Sequence, residues 1–475
     1  VQLAELPGSG REPPLPLLIE LADGEVLRVE QWLRVLPAQR YVGKALWQGK
    51  TVLAKLFVGR KFTHHYQTEL YGALLLAVST QPTPKLLANG QCTQGGWLLF
   101  DYLEHSQSLL TLWQQVASEP LLSQSQQHLL EQALHSIGSL HAHGLWQDDL
   151  HLDNLLQQEG KIWLIDGAGV RVKRLGKPLS LRRARDNLAL FFAQLAPELE
   201  DFIEPLLPAY RSAGSGLNIS LPLLLQAIRR FRKRRVQAFV KKCTRDCSEF
   251  AARRSAQGFC IIRRSEQSKL SPLLATADQH IESGERYKQE GSASVTRVDW
   301  HGRWLVLKRY NIKSLWHAVK RGLRETRALR SWRQAHRLLM YGIATPKPLA
   351  VIEQRRFGLR GRAYLLTEHC PGADLIACLA DYHDKPPPEI YIQALEQLLA
   401  SLIRAQISHG DLKGHNLLWN SGKWHLIDLD AMQQHRCRYR FARAFARDRE
   451  RLLRNFPANS ALYQLLDKRL PRLLH

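Results

Sequence analysis

Two aspartates and an asparagine recur in this chain at a spacing suited to chemistry at a phosphate. Asp149-Leu-His-Leu-Asp-Asn154-Leu-Leu leads to Leu164-Ile165-Asp166, and 262 positions later Asp411-Leu-Lys-Gly-His-Asn416-Leu-Leu leads to Leu426-Ile427-Asp428. In each copy five positions separate the first Asp from Asn and twelve separate Asn from the second Asp, and eight of those thirteen residues are identical. Transfer of a γ-phosphoryl group asks a protein for charge neutralisation and in-line positioning rather than covalent chemistry. A loop Asp can take the acceptor hydroxyl's proton, while an Asn five residues on and an Asp beyond a hairpin hold Mg2+ against the phosphates of ATP. A strand lysine held by a helix carboxylate completes the set by neutralising the α/β-phosphates.

The chain supplies these parts in order twice: Lys308, Glu325, Asp411, Asn416 and Asp428, and before them Lys55, Glu69, Asp149, Asn154 and Asp166. Singly, each has a plain explanation. An isolated Asp-Leu-x-x-x-Asn is ordinarily a cap or turn, and a Glu on an amphipathic helix is ordinarily solvated or paired along the helix. Joint order and duplication turn the balance toward phosphoryl transfer.

The elements that must position these groups repeat as well. Trp47-Gln-Gly49-Lys-Thr-Val-Leu-Ala-Lys55 parallels Trp300-His-Gly302-Arg-Trp-Leu-Val-Leu-Lys308. Each predicts strand, Gly turn, strand, with the lysine at the end of an apolar run. Helical stretches carrying Glu69 and Glu325 follow, then Thr83-Pro84-Lys85 and Thr345-Pro346-Lys347, then strands at Trp97–Tyr102 and Ala363–Glu368. Hairpins turned at Glu159-Gly160-Lys161 and Ser421-Gly422-Lys423 separate each Asn from its Asp, and Arg185-Asp186 and Arg447-Asp448 each open a Leu-rich helix. Leu221–Lys242 reads as the last helix of the first half and Phe259–Arg263 as an opening strand of the second. The expected organisation is therefore two domains, 1–247 and 248–475, packed without a low-complexity linker.

His409-Gly-Asp-Leu-Lys-Gly-His-Asn416-Leu-Leu with Leu-Ile-Asp428-Leu-Asp resembles the lipopolysaccharide core kinases, the heptose and Kdo kinases with a protein-kinase-like fold. Leu140-His141-Ala-His-Gly144-Leu-Trp-Gln-Asp-Asp149 is similar to the same family's approach to its catalytic loop. The His-Gly-Asp form is shared with small-molecule phosphotransferases. The resemblance implies an α+β fold of two tandem protein-kinase-like domains, each with a β-rich N-lobe and a helical C-lobe. It also implies ATP and Mg2+, and phosphate transfer to a heptose or Kdo hydroxyl of the lipopolysaccharide inner core. Asp411 and Asp149 would be the bases; Lys308 with Glu325 and Lys55 with Glu69 the phosphate clamps; Asn416, Asp428, Asn154 and Asp166 the metal ligands. No Ala-Pro-Glu or long activation segment follows Asp428, which argues against a regulated Ser/Thr protein kinase.

The copies are not equivalent. Ahead of its first strand pair the second has Glu290-Gly291-Ser292-Ala293-Ser294, where the backbone amides of Gly291 and Ser292 could cover phosphates. The first has Leu36-Pro37-Ala38-Gln39-Arg40 there, Gln147 in place of His409, and Gly167-Ala168 in place of Leu429-Asp430. The second copy is thus the expected catalyst, and the first, partly degenerate, a candidate pseudokinase that retains all five polar positions.

A net charge of +24 on 475 residues calls for an anionic partner. Arg229-Arg230-Phe-Arg232-Lys233-Arg234-Arg235 with Lys241-Lys242, the stretch 320–337, and 436–454 concentrate it. No nucleic-acid module appears, so the charge is assigned to a lipopolysaccharide core or lipid A precursor and to an anionic inner-membrane surface. Seven scattered cysteines read as idle thiols of a reducing compartment. With no apolar run long enough to span a bilayer and no signal-peptide layout at Val1 to Glu20, the expectation is a cytoplasmic protein, peripheral on the inner membrane. The alternatives are a pseudokinase scaffold in core assembly and a small-molecule or protein kinase of related fold.

Overall fold

The computed structural model describes residues 2–21, 24–79, 81–288, 293–311, 325–356 and 359–473. Helices and strands are mixed, and the chain divides into two compact units, Val1–Arg232 and Lys233–His475. The division falls within the helix Leu221–Lys242.

In the first unit a six-stranded antiparallel sheet runs, in spatial order, Leu17–Glu20, Val26–Leu36, Arg40–Trp47, Lys50–Val58, Gly95–Asp101 and Leu86–Cys92. In the second, seven strands run Phe250–Ser255, Gly258–Arg263, Pro348–Arg356, Leu359–Glu368, Arg303–Tyr310, Ala293–Trp300 and Glu285–Lys288. The four strands around the lysine are arranged alike. Lys55 lies opposite Val42 on one side and Leu98 on the other; Lys308 lies opposite Val295 and Leu365.

Register in each lysine hairpin is set by a two-residue turn with both φ angles positive, Gln48-Gly49 in one unit and His301-Gly302 in the other. That backbone matches the right-handed twist of the flanking strands, and glycine supplies the second positive φ without strain. Glu159-Gly160 and Ser421-Gly422 repeat the device between Asn and Asp.

Each unit also has a helical part with its own apolar core. Helix Gln124–Ala142 buries Leu130, Ala133, Leu134 and Ile137 in the first. Helix Glu389–Ala405 buries Leu395, Leu399 and Leu402 in the second, joined by Trp424 and Phe445. Such side chains contribute roughly 1.5–3 kcal/mol each when buried, so each helical part has the material for a stable core. The seven cysteines are free, and among the described residues no helix is long and apolar enough to cross a membrane.

Candidate active site

In the second unit, strand Arg303–Tyr310 delivers Lys308 to the turn after strand Lys423–Leu426, where its Nζ donates to Asp428 Oδ1 at 2.6 Å. Asp428 sits in left-handed backbone, φ 59° and ψ 58°, a conformation uncommon outside glycine that Asp and Asn adopt more readily than other residues. Asp166 repeats it at φ 68°. Two hydrogen bonds enforce the turn at Asp428: Ile427 N donates to Asn416 O at 3.0 Å, and His409 Nε2 donates to Ile427 O at 3.0 Å. Burial works against ionisation of Asp428, but Lys308 and then Arg327 outweigh it and hold the carboxyl below the ordinary range. Burial likewise works against the charge of Lys308, and Tyr310 and Asp428 prevail, leaving its pKa above the usual lysine value.

The loop Asp411–Asn416 is closed by its own ends: Asn416 Nδ2 donates to Asp411 O at 2.8 Å. This fixes the amide so that its carbonyl oxygen remains for a cation. The Asp411 carboxylate takes Lys413 at 3.1 Å and an ion pair from Arg451. Partial burial raises its pKa, but those two cations win and the net shift is downward.

Asp448 anchors the loop from below. Nearly fully buried on helix Arg438–Leu453, it accepts His409 N at 2.6 Å and Gly410 N at 2.9 Å. Gly410 has φ 81° and lies against Ala431 O with no room for a side chain, which is the physical reason for glycine before Asp411. His409 is fully buried, its pKa lowered by desolvation; Nε2 carries the hydrogen and Nδ1 receives Asp411 N at 3.3 Å. From sequence, Arg447-Asp448 is expected to open a helix, whereas the helix begins nine residues earlier at Arg438 and the pair lies past its middle. The position of Asp448 in both repeats was the signal available, but the partner amides were not legible. Arg451 was missed too, hidden in a run of arginines.

One expected contact is not made. Glu325 pairs with Arg333 at 2.8 Å rather than with Lys308, whose ammonium is on Asp428. The physical reason is local: Glu325 precedes helix Arg327–Met340, whose exposed face is rich in arginine, and Arg333 lies two turns along it. Arg327, at the helix start, is ion-paired with Asp430 instead. Gly291 and Ser292 lie outside the described residues.

The first unit assembles its set differently. Lys55 makes a buried ion pair with Glu69 and lies 3.5 Å from Asp166. Glu69 also accepts Gly167 N at 3.0 Å and Ala168 N at 3.2 Å. That approach depends on Gly72 and Gly167, which meet backbone to backbone where a Cβ on either would clash. Gly167-Ala168, which looks like a loss beside Leu429-Asp430, is therefore what lets helix Phe62–Ala77 dock on the turn. Asn154 Nδ2 closes the loop on Asp149 O at 2.7 Å, as in the second copy. Gln147 stands in for His409 by donating to Ile165 O and Asp166 O at 3.0 and 2.9 Å. Asp149 is largely exposed, with His151 Nε2 at 2.6 Å. Asp186, aligned with Asp448, pairs with Arg185 and Arg230, and the loop hangs instead on Asn187, which donates to Gln147 O at 2.8 Å. Arg40, from the glycine-free loop, reaches within 3.8 Å of Asp166 and 3.7 Å of Glu69.

Either copy could accommodate a hard divalent cation such as Mg2+, which takes one or two protein oxygens and completes its shell with phosphates and water. In the second copy the Asn416 carbonyl oxygen and Asp428 Oδ2 are suitable donors. In the first, Asp166 Oδ1 is buried and accepts no hydrogen bond among the described residues. Burial opposes ionisation of Asp166, yet Lys55 and Arg40 bring its pKa below the ordinary value. No group of three or more His, Cys, Asp and Glu side chains forms a self-sufficient metal site among the described residues.

Comparison of the sequence with known proteins finds a match to one family over the second copy. Residues 272–469 match the model of the Lipopolysaccharide kinase (Kdo/WaaP) family, so the resemblance read from the motifs is borne out over the second copy. Among curated relatives, a 3-deoxy-D-manno-octulosonic acid kinase of Vibrio parahaemolyticus serotype O3:K6 is 33% identical over 138 residues, 28% of this chain and 54% of that protein. The proteins of the same name from Xanthomonas axonopodis pv. citri and Xylella fastidiosa (strain M23) are 34% and 30% identical, each over 23% of this chain and 43% of the relative. The chain spans about half the length of the curated relatives it matches. Among solved structures, one described as WaaP in complex with acyl carrier protein aligns at 18% identity and TM-score 0.31, covering 44% of this chain and 87% of that one.

Proposed function

We propose that the protein is an ATP-dependent kinase that phosphorylates a heptose or Kdo hydroxyl of the lipopolysaccharide inner core, working at the cytoplasmic face of the inner membrane. The observation that carries this reading is the convergence of Lys308 on Asp428, with Asn416 and Asp411 on the loop hydrogen-bonded to the same turn. The family match over that copy and the names of the relatives favour the sugar acceptor.

In this scheme Asp411, held ionised by Lys413 and Arg451, receives the proton of the sugar hydroxyl as its oxygen bonds to the γ-phosphorus. The bond from that phosphorus to the β–γ bridging oxygen breaks and ADP leaves. Lys308 neutralises the α/β-phosphates, while Asn416 and Asp428 hold Mg2+, which when bound supplies positive charge at the phosphates. Asp448 and His409 hold the loop and the Asp428 turn in register. Glu325 is assigned as the partner of Lys308 in the nucleotide-bound state, a role for which it would have to give up its pair with Arg333. Gly291 and Ser292 are assigned to cover the phosphates. In the first copy Lys55, Glu69, Asp149, Asn154 and Asp166 take the parallel roles, and the two copies are read as tandem protein-kinase-like domains, 1–247 and 248–475. Basic helices such as Arg438–Leu453 suit a polyanionic acceptor and an anionic bilayer.

The test is phosphate transfer from radiolabelled ATP to isolated core oligosaccharide by the full chain and by Asp411→Asn and Asp149→Asn. Loss of turnover with Asp411→Asn and its retention with Asp149→Asn is expected; full turnover by Asp411→Asn would overturn the assignment.

A further inference from the structure

A cavity of about 510 Å³ opens in the second unit, and neither Lys308, Asp411, Asn416 nor Asp428 lines it. Its wall brings together Lys233, Arg330, Arg337 and Arg436, with His435 beside them and, among the described residues, a single acid, Glu325. Three separate stretches of chain contribute: the end of helix Leu221–Lys242, helix Arg327–Met340, and the segment after Asp430. Among the described residues none of the four cations is in an ion pair, and Glu325 is engaged by Arg333. Elsewhere in this unit Arg469, by contrast, is matched with two carboxylates, Glu389 and Glu396.

Four cations converging on a concave wall repel one another unless an anion is shared among them. Guanidinium groups present paired donors that fit the oxygens of a phosphate. The volume is that of a small-ligand site, too large for one halide ion and ample for a diphosphate or a phosphorylated sugar. We infer that this cavity is an anion site of its own, separate from the nucleotide cleft, that binds a phosphate-bearing molecule through Arg330, Arg337, Arg436 and Lys233. Glu325 shares the wall, so its carboxylate and the bound phosphate compete for the same positive field. An occupied cavity would therefore disfavour Glu325 there, at the residue assigned above to Lys308.

The experiment is calorimetric titration of the full chain with sodium pyrophosphate at constant ionic strength. Saturable binding is expected, weakened at least about tenfold in Arg330→Gln/Arg436→Gln, the scale of one lost charge-assisted contact. Both side chains are exposed, so folding should survive; Arg436→Gln alone, with an unchanged circular dichroism spectrum, should weaken binding about threefold or more. Arg440→Gln/Arg443→Gln removes the same charge outside the cavity and should leave affinity unchanged. Lys308→Met should also leave it unchanged, and Glu325→Gln should tighten it. Equal loss in the Arg440/Arg443 control would reduce the effect to net charge, and loss in Lys308→Met with retention in Arg330→Gln/Arg436→Gln would place pyrophosphate in the nucleotide cleft. Either result overturns the inference, as does absence of saturable binding. Phosphatidylcholine vesicles carrying phosphatidic acid identify the source: displacement of pyrophosphate points to a lipid phosphate, and no displacement to a soluble phosphate ester, both in keeping with the site.

Discussion

Replacing Asp448 should disable the second copy without touching any group that meets substrate. The residue is 4% exposed and its carboxylate receives two backbone amides, His409 N at 2.6 Å and Gly410 N at 2.9 Å. Alanine removes both acceptors and leaves the buried His409 N–H and the part-buried Gly410 N–H unmatched, at about 1–3 kcal/mol for the first and less for the second. Asparagine keeps one acceptor oxygen and turns an N–H₂ toward the other amide, so its cost is about half. Part of each loss would appear as local opening, at roughly a 30-fold loss of amide protection for every 2 kcal/mol. Hydrogen–deuterium exchange followed by mass spectrometry on peptides covering 407–412 measures that opening directly. Phosphate transfer should fall in the same order, Asp448→Ala below Asp448→Asn below wild type, with nucleotide affinity changed less, because the Asp428 turn, though it loses part of the support it has through His409, keeps the Lys308 ion pair and the bond from Ile427 N to Asn416 O. Unaltered exchange at 407–412 in Asp448→Ala would refute the reasoning, since the loop would then owe its position to something else.

Asp411→Asn should lower turnover by about 10²–10⁴, the usual worth of a general base, as measured by single-turnover phosphate transfer. Gly72→Ala should destabilise the first unit by about 1–3 kcal/mol or more, because the added methyl meets the Gly167 backbone; thermal unfolding of the full chain would register an earlier first transition. Glu325→Gln should change stability by about 1 kcal/mol at most, its pair with Arg333 being partly solvated, while still reducing turnover if Glu325 engages Lys308 when nucleotide binds. Asp428, its pKa lowered in the folded state, contributes stability that is complete above the ordinary carboxylate pKa of about 3.9 and is lost as pH falls through the lower folded value. Lys308→Met removes the main cause of that lowering, so acid unfolding followed by circular dichroism should begin at higher pH than in wild type.

Much of the scaffold could be read before any coordinates. The Gly49 and Gly302 turns, the apolar strands that carry the lysines, which run two or three residues beyond Lys308 and Lys55 rather than ending there, and the Gly160 and Gly422 hairpins are local features. Two-residue turns with positive φ and period-two strands are decided by a few neighbouring side chains and the backbone itself, so residue order suffices. The spacing of Asp, Asn and Asp was legible for the same reason, since loop, hairpin and turn are contiguous. Pairings between distant segments were not. That Glu325 chooses Arg333, that Asp448 receives the His409 and Gly410 amides, that Gly167 makes room for Gly72, and that four cations with no ion pair among the described residues line one cavity are facts about which surfaces meet after packing. A run of arginines in sequence looks the same whether each side chain faces solvent, a catalytic carboxylate or a cavity. Only the folded chain, by fixing helix orientation and burial, separates Arg451 on Asp411 from Arg436 on the cavity wall.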